Sequence, residues 1–308
     1  MIDSSDRWPF LGAANGRFHL PTCGTTLRAA IMQPGGLLMH VRSVIAIASL
    51  FLVIGAAAQD DRSATKPILA PLAPFTEAIN GTTLQLTMVP VTPKDGSTPF
   101  FIASTETTWD VYDAFVFGFD KTERAADGTS SSASPEADAV TRPSKPYISM
   151  DRGFGHAGFP AISVSYLGAK KCCEWMSAKT GKRYRLATLK EWQAACALAA
   201  IPSSDVKDFA WCAENAGGKT HAVGTTKKDA LGSYDLYGNA SEWVTSDEGK
   251  GVTLGGTFKG AADTLGCALV VPYTPDWNAS DPQYPKSKWW LADGGFVGFR
   301  MVCETAKP

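Results

Sequence analysis

Apolar and polar residues alternate along TTLQLTMVPV, residues 82–91, and predict a strand. PFFIAST reads as a second strand and leads into ETTWDVYDAFVFGFD. There Val111, Tyr112, Phe115 and Val116 recur at helical spacing, with Thr107 or Thr108 as N-cap. SYLGAKKCCEWMSAKTG puts Tyr166, Ala169, Cys173 and Met176 on one helix face and stops at Gly181. TLKEWQAACALAA opens on Thr188 with Glu191 completing a capping box, and Trp192, Ala195, Cys196 and Ala199 form its inward stripe. Cys173 and Cys196 thus fall on buried faces, which suits structural anchoring better than solvent-facing redox chemistry.

Two stretches interrupt this pattern. Residues 121–146, KTERAADGTSSSASPEADAVTRPSKP, are poor in bulky apolar side chains and read as a solvated insertion, with a lid over a site as the functional alternative. From residue 205 the chain becomes Gly-, Asn- and Trp-rich, with short strand candidates in VTLGGTF and FVGFRMVC. Long irregular runs of this kind need backbone-directed hydrogen bonds, ions or disulfides to hold them.

The N-terminus changes the chemistry to be expected of the cysteines. MHVRSVIAIASLFLVIGAAAQDD has a short basic start, an apolar run from Val44 to Ala58 and small residues before Gln59, the pattern of an export signal over residues 39–58. The run is shorter than the roughly 20 residues of a spanning helix. Residues 1–38 read as an upstream extension outside the fold, and the Pro- and Ala-rich residues 59–80 as a linker. The chain is then expected to be exported, periplasmic or extracellular, with the membrane involved only through that signal. The mature part keeps Cys172, Cys173, Cys196, Cys212, Cys267 and Cys303. An even cysteine count in an exported chain predicts disulfides, but six cysteines allow about 15 connectivities.

The 308 residues carry a net charge of −1, which offers no basic footprint for a nucleic-acid partner. His156 and His221 stand in turns without a recognised acidic or cysteine partner, so no nucleophile is read from them. WNASDPQYPKSKWWLADGGFVGFR concentrates Trp277, Trp289 and Trp290 beside charges. These rings either cover the core or offer a surface to a carbohydrate or peptide.

Five segments taken in order resemble one family. They are TETTWDVYDAF, PAISVSYLGAKKCCEWMSAKTGKRYRLATLKEW, LGSYDLYGNASEWV, LGGTF and GFVGFR. The family is that of the formylglycine-generating enzyme, or sulfatase-modifying factor, and the likeness runs over residues 82–304. It implies an α+β domain with a variant C-type-lectin fold and little regular secondary structure. Active members oxidise a sulfatase cysteine to formylglycine with copper held by a cysteine pair just after the RGGS-like strand. Soft thiolates suit Cu(I). Here the matching positions are Gly260 and Leu265, and the arginine of that motif is Leu254. The resemblance therefore implies neither copper nor a catalytic residue, and leaves a binding or scaffolding module for protein or glycan. The alternatives are an enzyme with another site on the same scaffold and, last, a sulfatase-maturation oxidase with relocated cysteines.

The resemblance implies two further features. Calcium would be held structurally by Asp235 and Glu242 side chains and by the Gly238 and Ala240 carbonyls, an all-oxygen set. Disulfides would run Cys173–Cys303 and Cys196–Cys267, with Cys172 and Cys212 paired or buried.

Overall fold

The computed structural model describes residues 71–119 and 142–305. The export signal, the upstream extension and residues 121–141 of the insertion lie outside the described residues.

A five-stranded antiparallel sheet organises the domain. Its strands are β1 (Phe75–Ala78), β2 (Gln85–Val91), β3 (Phe100–Ala103), β4 (Tyr184–Leu186) and β9 (Met301–Glu304), in the order β1-β2-β3-β9-β4. Successive strand residues point to opposite faces, and here both faces are buried. Met88, Ala103, Met301 and Cys303 face a core shared with helices α1 (Trp109–Phe117) and α2 (Tyr166–Thr180). Val89, Ile102, Phe100 and Val302 face a second core with helix α3 (Leu189–Ala199). This explains why Met88, Val89 and Val91 of β2 are all buried although they do not share one face. β1 lies inside the stretch read as a linker. Phe75 meets Phe101 edge-on with ring centroids 4.9 Å apart, so ring packing and pairing with β2 make it a strand.

The helices begin and end where local chemistry dictates. Ser165 caps α2 by accepting the Gly168 N–H, and Gly181 closes it in the left-handed region at φ +70°. Thr188 and Glu191 form the reciprocal capping box on α3. At α1 the N-cap is Thr108, without a side-chain bond.

The C-terminal half is mostly turns around a smaller sheet of β5 (Ser241–Thr245), β6 (Gly251–Leu254), β7 (Val271–Pro272) and β8 (Val297–Gly298), ordered β7-β6-β5-β8. A short helix, α4 (Val206–Phe209), precedes it. Among the described residues no helix is long and apolar enough to cross a membrane.

One disulfide ties these parts. Cys196 of α3 is bonded to Cys267 in the irregular 260–270 segment, with Cα atoms 5.7 Å apart. The Cys173–Cys303 bridge is not formed. Both thiols are free and buried, as are Cys172 and Cys212. Cys173 lies with Lys170, Glu174 and Arg185 in one small cavity, whereas Cys303 lies with Phe75, Phe101 and Lys182 in another. Tyr184 lines the first cavity and is registered directly opposite Cys303, so β4 keeps the two sulfurs apart. Burial raises all four free thiols above the usual cysteine range, which leaves them protonated and inert.

Candidate functional site

Two places are candidates for function: the segment that follows β6, and a cleft at the start of the same strand. After β6 the chain turns through Gly255 and Gly256, both at positive φ. Leu265 then folds back over it, only 8% exposed within the second core. A Cβ placed on Gly260 would come within 2.9 Å of Leu265 Cδ2, closer than carbon atoms approach. The Leu265 side chain fills the space that a side chain at 260 would need. The disulfide at Cys267 pins the same segment two residues farther on.

Beneath β5 lies a buried charge network. Arg300 donates from Nε to Glu242 Oε1 at 2.9 Å, from Nη1 to the Ala103 carbonyl at 3.0 Å, and from Nη2 to the Tyr234 carbonyl at 2.8 Å. Trp192 Nε1 donates to the other Glu242 oxygen at 2.7 Å. Asp235 accepts from the Gly224 N–H and the Thr226 hydroxyl, each at 2.8 Å. Glu106 accepts from the Ala240 N–H and, at 3.3 Å, from Asn239 Nδ2. Of these carboxyl groups Arg300 bonds Glu242 alone, and its charge also acts on the buried Glu106 and Asp235. Burial, then the nearby Asp235 charge, push Glu106 well above the usual carboxylate range. Glu106 and Arg300 stand in motifs legible in the sequence, but nothing local showed that they meet.

The calcium set fits this arrangement poorly. Both Glu242 oxygens already face protein donors, one of them a full positive charge, and both Asp235 oxygens are engaged. Among the described residues no group of three or more His, Cys, Asp or Glu side chains is placed to hold a metal ion. Two of the four expected ligands, the Asp235 and Glu242 side chains, take part in this hydrogen-bond network.

The three tryptophans do not form a ligand surface. Trp277, Trp289 and Trp290 are 9%, 3% and 2% exposed. Trp290 donates Nε1 to the Ser144 carbonyl, and Trp277 packs edge-on against Phe296. They close the first core. Their segment nonetheless forms one wall of a cleft of about 790 Å³.

This cleft lies between the β5–β6 turn, the start of α2 and residues 287–291, with Tyr166, Trp243 and Tyr273 as its aromatic lining. Trp243 is fixed by its Nε1–H bond to the Val164 carbonyl at 2.8 Å, and Tyr166 by a 2.9 Å bond to the Thr245 hydroxyl. Tyr273 is 46% exposed and open to a ligand. At the rim Lys250 pairs with Glu248, while the Lys288 ammonium sits 5.2 Å over the Trp289 ring. Four separate segments build the cleft, and no contiguous motif marks it.

The two described histidines have different surroundings. His221 stacks on Trp211 at 3.7 Å and is bonded to the Ala216 carbonyl, a structural role. His156 has acidic partners on both sides. Its Nε2 lies 2.7 Å from Asp113 and its Nδ1 2.9 Å from Asp151.

A model of the "Sulfatase-modifying factor enzyme 1-like domain" matches residues 73–305. The chain belongs to this family. No curated protein sequence matches it. Among solved structures, Treponema denticola variable protein 1 aligns with TM-score 0.53 and 17% identity, over 76% of this chain and all of that one. PvdO from Pseudomonas aeruginosa aligns at 0.49 and 18%, covering 77% and 100% of the two chains. CarF aligns at 0.44 and 19%, covering 68% and 88%. At these identities the first neighbour speaks for the fold alone. Family membership agrees with the mixed sheets, the few helices and the irregular second half.

Proposed function

We propose that the chain is an exported, ligand-binding member of the family that lacks the copper-dependent oxidation of sulfatase cysteines. The observation that carries this reading is Leu265 lying over Gly260. The motif places the oxidase sulfurs at these two positions, and here one has no side chain and the other is an apolar plug. Neither residue can ligate copper. Among the described residues Cys267 is spent in a disulfide and the remaining cysteines are buried, with their thiols raised above the usual range.

Binding is assigned to the cleft beside Trp243. Its aromatic walls are held rigid by hydrogen bonds, so a protein or glycan ligand meets a preformed surface and the cost of ordering is small. Tyr273 supplies the exposed ring and Lys288 a charge at the rim. Glycan and peptide arrays probed with the purified chain and with Tyr273→Ala test this. The reading expects retained ligands whose binding weakens about tenfold or more in the variant, the loss of one aromatic anchor. A ligand that binds both proteins equally would move the site elsewhere. A ligand that is turned over rather than retained would favour the enzyme reading.

A further inference from the structure

His156 offers a second kind of function, because both of its ring nitrogens face carboxylates. A neutral imidazole carries one N–H and one lone pair, so it would turn that lone pair toward a carboxylate oxygen. Only the imidazolium donates to Asp113 and Asp151 at once. The ring also stacks on Trp109 with centroids 5.0 Å apart and planes 14° from parallel, which favours the cation.

These contacts join two elements. Asp113 belongs to α1, whereas His156 and Asp151 belong to the loop of residues 149–159. The loop is also tied to α1 by Gly158 N–H donating to Asp110 at 2.7 Å. Its other end carries Arg152, whose Nη2 donates to the Leu291 carbonyl at 3.0 Å and to the Ala292 carbonyl, and whose Nε donates to the Ser163 hydroxyl. Leu291 lines the cleft. Trp109 stacks in turn on Trp290 of the same wall, with centroids 6.3 Å apart.

We propose that His156 is a pH-operated latch that holds the 149–159 loop on α1 and, through Arg152, steadies the 289–292 wall of the cleft. The regulatory meaning of the wall rests on reading that cleft as the ligand site; the latch itself does not. The groups facing the ring are Asp113 and Asp110 from α1 and Asp151 from its own loop. His221, on the segment that meets the loop through Val223 N–H to the Gly158 carbonyl, is turned away onto Trp211.

The latch has two edges. Burial pulls His156 down, but the hydrogen bonds to Asp113 and Asp151 outweigh it, and the ring titrates above its ordinary value. Burial raises Asp113, with His156 opposing. A histidine with a raised pKa gives full stabilisation below its unfolded value and loses it as pH rises through the folded one. Protonation of Asp113 opens the latch from the acid side. It is therefore closed in a band between the two titrations.

The test uses the full chain. NMR locates the His156 titration, and hydrogen exchange, corrected for intrinsic rates, follows the amides of 149–160 and 287–293 across pH. The wild type is expected to titrate His156 above about 6.5, with protection of both segments falling about fivefold as pH rises through that midpoint, a factor suited to an exposed ion pair. Asp113→Asn is expected to lower the midpoint, and His156→Gln to abolish the pH dependence. A midpoint at or below the ordinary value, or one unmoved by Asp113→Asn, overturns the latch. Loop amides that open while the 287–293 amides stay protected overturn its link to the wall. If both segments respond but Tyr273→Ala leaves array binding unchanged, the latch stands and the cleft reading falls.

Discussion

Leu265 occupies the room that a side chain on Gly260 would require: a Cβ at 260 would stand 2.9 Å from Leu265 Cδ2. A side chain at 260 and the Leu265 side chain thus compete for one space. Gly260→Ala is expected to cost about 1–2 kcal/mol by overpacking, and Leu265→Ala about 2–3 kcal/mol by leaving a cavity. Combined, they are expected to cost less than their sum, since each relieves the other. Urea unfolding of the four proteins measures this. Strict additivity would show that the residues do not compete for the space.

The Cys196–Cys267 bridge closes a loop of 71 residues between α3 and the 260–270 segment. On the chain-entropy argument its removal by Cys196→Ala with Cys267→Ala costs about 4 kcal/mol. Denaturant midpoints measure the loss. Non-reducing peptide mapping should recover this one link among residues 71–119 and 142–305, with Cys173 and Cys303 alkylated only after unfolding. A recovered Cys173–Cys303 peptide would contradict the separation imposed by β4.

Glu242 gives its oxygens to Arg300 and Trp192, and Asp235 gives its own to Gly224 and Thr226. Chelation with EDTA is therefore expected to leave the melting temperature unchanged. A fall of several degrees, restored by added calcium, would reinstate the ion at these residues.

Glu106 predicts a pH effect of definite sign. Its folded pKa lies above its unfolded one because of burial and the Asp235 charge. Between the two values the folded chain binds more protons than the unfolded chain, so this group's contribution to stability falls as pH rises. Glu106→Gln cannot ionise and is expected to flatten that fall. Stability curves against pH for both proteins decide it; parallel curves would mean that Glu106 is ionised in the folded chain.

Features governed by neighbouring residues were readable in advance. Thr188 and Glu191 declare the start of α3 within one turn, and Gly181 declares the end of α2. The Cys196–Cys267 link followed from the family likeness rather than from spacing. Features assembled across the chain were hidden. β1 had too few apolar residues to stand out from a Pro-rich run, and its strand character comes from Phe101 and β2. The sequence leaves open whether Trp289 and Trp290 cover the core or face a ligand; packing turns the rings inward and leaves Tyr273 and Lys288 at the cleft. The partners of His156 come from α1 and from its own loop, and only the fold places Asp113 against the ring.

The most direct test incubates the purified protein with Cu(I), oxygen, a reductant and a cysteine-containing sulfatase peptide, and looks for the aldehyde by mass spectrometry. The account predicts unchanged peptide, with no stoichiometric thiolate-bound copper on the folded chain. Conversion of the cysteine to formylglycine would contradict it.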